Sequence, residues 1–174
     1  MQPYFFPYLG YFHLIHAVDV LVLADDYQYS KSSWVNRNRI LNRGEVKTIT
    51  LPLNRDNDYA LINQRTIADS FKWSKNANIL KNAYERSENF EDIYELYNDN
   101  VFVPGTNLHS ALEESLYLIL EKLQIETEIM KTSDFKLPRE MKGKEKIFQI
   151  ARELDINEYL NLRSEEHTSE LQSR

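Results

Sequence analysis

Cysteine is absent from the 174-residue chain. Disulfides, thiolate zinc sites and a cysteine nucleophile are thereby excluded from this stretch. Glycine is scarce: Gly10, Gly44, Gly105 and Gly143 are the only four, and they form neither a Walker loop nor a dinucleotide fingerprint. A nucleophile elbow and a zinc-protease helix motif are missing as well. Familiar ATP, NAD and hydrolase chemistries therefore have no sequence support. No apolar run approaches the length of a membrane span, and the start lacks the basic region and unbroken apolar stretch of a signal peptide. The expectation is a cytoplasmic protein without membrane insertion. Basic residues do not dominate any face-sized cluster, and 21 Lys+Arg against 27 Asp+Glu leave a net charge of −6. A nucleic-acid partner is not expected, because phosphate neutralisation needs clustered cations.

What is present fits a globular chain. Hydrophobic residues make up 42% and charged residues 28%, and the length suits one domain with a single core. The last twelve residues, Arg163–Arg174 (RSEEHTSELQSR), resemble the conceptual translation of a sequencing-adapter oligonucleotide. They are expected to be a non-native, disordered tail, so His167 is given no chemistry. Residues 1–162 are then an incomplete domain: the chain opens on a loop at Met1-Gln2-Pro3, and a strand begins to form at Glu158-Tyr159-Leu160 just before the tail.

Local pattern predicts alternating strands and helices. Pro3 and Pro7 oppose helix near the start, and a short helix follows over Phe12 to Ala17. Val20 to Ala24 is a continuous apolar run, as in an inner strand of a parallel sheet buried between helices. Tyr27 to Ser30 and Val46 to Leu53 read as strands separated by the polar segment Asn36 to Gly44. Lys72 to Arg86 and Glu91 to Asn98 read as helices. Asn107 caps a helix marked by Leu108, Leu112, Leu116, Ile119 and Leu123 at helical spacing. Gln124 to Met130 reads as a short strand, and Ile147, Ile150, Ala151 and Leu154 mark a last helix after Gly143. The expected fold class is α/β, a mostly parallel sheet flanked by helices and truncated at both ends.

Polar function concentrates between Asp25 and Arg39. Asp25 and Asp26 end the apolar strand, where ligands bind in parallel α/β sheets. They read either as a turn or capping pair, or as ligands for sugar hydroxyls, an ammonium group or a hard cation. If Asn36-Arg37-Asn38-Arg39 is extended, Arg37 and Arg39 share one face and the asparagines the other. Two guanidiniums on one face suit a phosphate or carboxylate; a solvated strand with arginines paired to surface acids is the alternative. Lys31 and Trp34 add a charge and a stacking surface, or simply cover the core. The opening aromatics, Tyr4, Phe5, Phe6, Tyr8, Tyr11 and Phe12, are expected to be mostly core, with the tyrosine tips leaving a sugar or base platform open. His13 and His16 have the spacing of a metal pair on a helix, but no third ligand accompanies them and no metal is assigned.

The string QPYFFPYLGYFHLI, followed by AVDVLVLADDYQYSKSSWVNRNRIL, resembles the N-terminal hallmark of the WbqC-like family. The similarity continues more loosely through TNLHSALEESLYLILEKLQIETEI and GKEKIFQIARELDINEYLN, so it covers residues 1–162. Members of that family usually carry a short apolar strand before the Gln-Pro and continue beyond the point matching Leu162. Gln is common there at the position of His13, which weakens a metal role. The family is associated with bacterial surface-polysaccharide (O-antigen) loci. The resemblance implies a transferase that adds an aminoacyl or acyl group to a nucleotide-linked amino sugar; a non-catalytic sugar- or nucleotide-binding scaffold is the alternative. The implied partner is a nucleotide sugar or another phosphorylated small molecule, while cofactor and oligomeric state stay unassigned. The positions that match are Gln2, Pro3, Tyr11, Asp25, Gln28, Lys31, Trp34, Asn36, Arg37, Asn38 and Arg39. The resemblance favours the functional reading of the Arg37/Arg39 pair. Asp25 and Asp26 are the expected catalytic carboxylates, one of them as general base for the amine.

Overall fold

The computed structural model describes residues 1–97, 101–138, 140–141 and 143–161; the expected tail, Arg163–Arg174, lies outside the described residues. The architecture is mixed α/β. Helix α1 (Leu9–His16) leads into strand β1 (Val20–Leu23). Strands β2 (Arg37–Asn42) and β3 (Glu45–Thr50) follow, then helices α2 (Trp73–Tyr84), α3 (Phe90–Leu96) and α4 (Leu108–Lys122). Strand β4 (Glu128–Lys131) and helix α5 (Gly143–Glu153) complete the order.

Parallel pairing is confined, among the described residues, to β1 and β4, with Val20 opposite Glu128 and Leu23 opposite Lys131. Against the other edge of β1, Met1 N donates to Val22 O at 2.5 Å and Ala24 N donates to Met1 O at 2.6 Å. The second sheet is the antiparallel pair β2–β3, running from Arg37 opposite Thr50 to Asn42 opposite Glu45. Its turn, Arg43-Gly44, has positive φ at both residues (53° and 82°), the geometry a two-residue hairpin needs to match strand twist. The polar segment read from sequence as a spacer is thus half of a hairpin. Tyr27 to Ser30, read as a strand, contributes only the isolated bridge of Gln28 with Leu61. Glu158 to Leu160 are outside any strand.

Helix α4 joins two hydrophobic clusters. Leu108, Ala111 and Leu112 pack in one with Phe5, Ile49, Leu51 and Phe102. Leu116 and Leu120 pack in the other with Tyr11, Ile15, Leu21 and Leu23 beneath the parallel pair. Asn107 caps the helix, its Oδ1 accepting from Ser110 N at 3.2 Å. The helix ends in a left-handed Gln124 (φ 55°), with Ile125 N donating to Leu120 O at 2.9 Å. That reverse bond satisfies an orphan carbonyl and turns the chain into β4. Among the described residues no helix is long and apolar enough to cross a membrane.

Candidate functional site

The carboxyl ends of β1 and β4 meet in a cluster of polar side chains. After β1 come Asp25 and Asp26; after β4 comes a single 3-10 turn, Thr132–Asp134. Asp25 is buried, and its carboxylate accepts from Asn63 Nδ2 (2.9 Å), Thr132 Oγ1 (2.9 Å) and Ser133 N (3.0 Å). Burial by itself raises a carboxyl pKa, but here the hydrogen bonds from Ser133, Asn63 and Thr132 outweigh it and hold Asp25 below its ordinary value. Asp25 is therefore an anion that ties the ends of both strands to the Ile62–Gln64 turn.

Asp26 is less enclosed. Its Oδ2 lies 2.5 Å from Lys146 Nζ and its Oδ1 lies 2.5 Å from Thr132 Oγ1, whose one proton is shared between Asp25 and Asp26. Lys146 stands in the first turn of α5, on the same helix face as buried Ile150, and its ammonium also lies 5.1 Å from the centroid of the Tyr27 ring. A lysine buried to 9% side-chain exposure needs such partners, because an unpaired buried charge is costly. Tyr27 and Thr132, which touch this ion pair, line a cavity of about 560 Å³ that runs along β1, with Gln2, Leu21, Ile150 and Tyr159 also in its lining; Asp26 and Lys146 stand behind that wall.

His109 adds a further titratable group. It is buried in α4, with Nδ1 3.7 Å from Glu113 Oε2 and Nε2 without a hydrogen-bond partner among the described residues. Burial lowers its pKa below the ordinary value, although Asp25 and Glu113 pull the other way. Among the described residues no group of three or more His, Asp or Glu is arranged to hold a metal ion.

The arginine segment lies elsewhere. Arg37 and Arg39 sit on the same face of β2, with their guanidiniums 5.4 and 5.0 Å from the Trp34 ring centroid. Arg37 is committed to the backbone, donating to Ser32 O (2.7 Å) and Ser33 O (3.2 Å). Arg39 is exposed and lines a second cavity, of about 340 Å³, together with Asn38. The asparagines on the opposite face brace the loops: Asn36 is buried, accepting from Tyr29 Oη (2.8 Å) and donating to Leu51 O (2.7 Å), while Asn38 Nδ2 donates to Phe5 O (3.0 Å) and Phe6 O. Among the described residues the two cavities share no lining residue, and Asp25 and Asp26, behind the first, lie apart from Arg39 in the second.

The remaining expected residues divide similarly. Tyr11 is fully buried, its hydroxyl donating to Gln2 O at 3.1 Å and its pKa pushed up by burial; it is a strut under the cavity wall. Gln28 reaches Asp58 O at 3.3 Å, and Lys31 pairs with Asp58 at 2.8 Å, both at the surface. Such an exposed pair contributes little. Sequence reasoning missed Asn63, Thr132, Ser133, His109 and Lys146. Lys146 had a signal: it precedes Ile150 by one helical turn and so falls on the apolar stripe of its helix, where a charge needs a reason.

Comparison with known proteins gives the relationship. An uncharacterized protein of Mycobacterium tuberculosis is 28% identical over 167 residues, which covers 92% of this chain and 70% of that protein. No solved structure matches significantly. The model of the WbqC-like protein family matches residues 2–172, and the chain belongs to the WbqC-like protein family.

Proposed function

We propose that residues 1–162 form a domain of bacterial surface-polysaccharide (O-antigen) biosynthesis that works in the cytoplasm as a transferase. It adds an aminoacyl or acyl group to the amine of a nucleotide-linked amino sugar. The observation that carries this reading is the Asp26–Lys146 pair, held beyond the carboxyl ends of the parallel strands and in contact with Thr132 and Tyr27, which line a cavity of about 560 Å³. That is where parallel α/β proteins bind ligands, and the volume suits a small molecule.

The chemistry needs a neutral amine. Among the described residues Asp26 has two contacts, to Lys146 and Thr132, fewer than a carboxylate can accept. It draws in the substrate amine and takes its proton as the nitrogen attacks the acyl carbon. The carbon–nitrogen bond forms, the bond to the leaving group breaks, and the leaving group departs with the electron pair. The Lys146 ammonium supplies positive charge beside the carbonyl oxygen, which becomes negative during attack. Asp25 touches no substrate in this scheme; it positions Asp26 and Thr132.

The second reading, a sugar- or nucleotide-binding module, is favoured by how fully Asp25 and its neighbours are tied together. One assay separates the two. The protein is incubated with nucleotide-linked amino sugars and a panel of acyl and aminoacyl donors, and products are read by mass spectrometry. Transfer gives a sugar heavier by the acyl group, formed roughly a hundredfold more slowly by Asp26→Asn. Saturable binding of the nucleotide sugar without product from any donor would sink the transferase reading and leave the binding module.

A further inference from the structure

We propose that the aromatic cleft between the N-terminal loop, β2 and helices α2 and α3 is a binding site for a nucleoside phosphate, with the base stacked in the cleft and the phosphate on Arg39. It is independent of the transfer reading, because among the described residues none of the cleft lines the cavity bordered by Tyr27 and Thr132.

The cleft encloses about 340 Å³, and Phe6, Tyr8, Trp73, Tyr84 and Tyr94 are among its walls. Among the described residues Arg39 is the one charged residue in its lining and no acidic side chain lines it, in a chain whose net charge is −6. Among the described residues the Arg39 guanidinium makes no ion pair or hydrogen bond; it lies over the Trp34 ring. A planar cation oriented by an indole and otherwise unpaired is suited to two-point contact with a phosphate. Arg37, with its guanidinium on Ser32 and Ser33, does not compete for the ligand.

A second observation points to the same place. Phe6 is left-handed, with φ 51°, a conformation that bulky residues avoid and that concentrates at functional sites. The Asn38 amide holds it there by donating to both Phe5 O and Phe6 O. The result sets the Phe6 ring 4.7 Å from Tyr97 and 6.3 Å, stacked, from Trp73. The walls offer π faces and few hydrogen-bonding groups. A sugar ring placed there would leave hydroxyls unpaired, whereas every base has a face to stack.

The test uses a built-in reporter. Both tryptophans of the chain are at this site, Trp73 in the wall and Trp34 beneath Arg39. The four common nucleoside monophosphates, their nucleosides and inorganic phosphate are titrated against intrinsic fluorescence. At least one monophosphate should quench saturably, with its nucleoside roughly tenfold weaker or more. Arg39→Ala should lower the monophosphate to the level of its nucleoside, and Arg39→Lys should restore part. Tyr8→Ala, at a ring that is 55% exposed, should weaken both alike. Asp26→Asn should change neither, whatever its effect on transfer. The absence of saturable quenching, indifference to Arg39→Ala in a variant folded by circular dichroism, or full affinity for inorganic phosphate alone would each overturn the proposal.

Discussion

Lys146 Nζ lies 2.5 Å from Asp26 Oδ2 across 120 positions of sequence. The two side chains are 9% and 26% exposed, so each partner is largely withdrawn from water. Removing one leaves the other charge unpaired, whereas removing both does not. Lys146→Met should therefore destabilise the protein by about 2–4 kcal/mol, and adding Asp26→Asn should recover part of that loss. Urea denaturation of the four proteins in a double-mutant cycle measures the coupling. A coupling under about 0.5 kcal/mol would mean that water already solvates the pair.

Asp25 makes a different prediction, about pH. Its pKa is held below the ordinary carboxylate value in the folded chain, with hydrogen bonds from Ser133, Asn63 and Thr132 overcoming the effect of burial. The unfolded chain therefore binds this proton more readily. The stabilisation is complete above the unfolded pKa of about 4 and is lost as pH falls through the lower folded value. Asp25→Asn removes the titration and cannot accept as many hydrogen bonds. Thermal melts should show the wild type ahead of Asp25→Asn by a constant margin at neutral pH, a margin that narrows below about pH 4. A margin unchanged into strong acid would show that Asp25 titrates as it does in the unfolded chain.

His109 acts in a higher window. Burial lowers its folded pKa below 6.5, the carboxylates of Asp25 and Glu113 only partly opposing this. The unfolded state again binds the proton more tightly, so stability falls as pH drops below 6.5 towards the folded pKa. His109→Phe should flatten the stability profile in that interval while leaving the acid limb set by Asp25. Chemical denaturation in small pH steps resolves the two limbs. Loss of the acid limb as well would mean that both slopes belong to one coupled cluster.

The sequence made some of this structure legible and hid the rest for physical reasons. Helix α4 was readable because its leucines recur at helical spacing and Asn107 marks its start, both local signals. β1 was readable from its apolar run, and with it the placement of Asp25 and Asp26 at a strand end. β3 was readable as the strand over Val46 to Leu53, but its pairing with β2 in a hairpin was not, because β2 is mostly polar and partly exposed and Arg43-Gly44 is a less familiar turn than Asn-Gly. Lys146, Thr132 and His109 join Asp25 and Asp26 from more than 80 positions away, and no local pattern encodes which helix lands on a strand end. The shared face of Arg37 and Arg39 followed from strand periodicity. That Arg37 is tied to Ser32 and Ser33 did not, since it depends on the fold of the preceding loop.

Asn38 and Phe6 supply the last prediction. A phenylalanine at φ 51° is strained by about 1–3 kcal/mol, and the Asn38 amide offsets this through its two carbonyl contacts. Asn38→Ala should cost about 1–3 kcal/mol because two carbonyls lose their donor. Asn38→Asp should cost more, since a carboxylate sets negative charge against the same oxygens. Either change should let the loop relax and shift Trp73 emission, because Phe6 stacks on that indole at 6.3 Å. Tm and fluorescence can be read on one sample. If Asp destabilises no more than Ala, the amide is not acting as a donor to these carbonyls, and the left-handed Phe6 must be held by the packing of its ring against Tyr97 and Trp73.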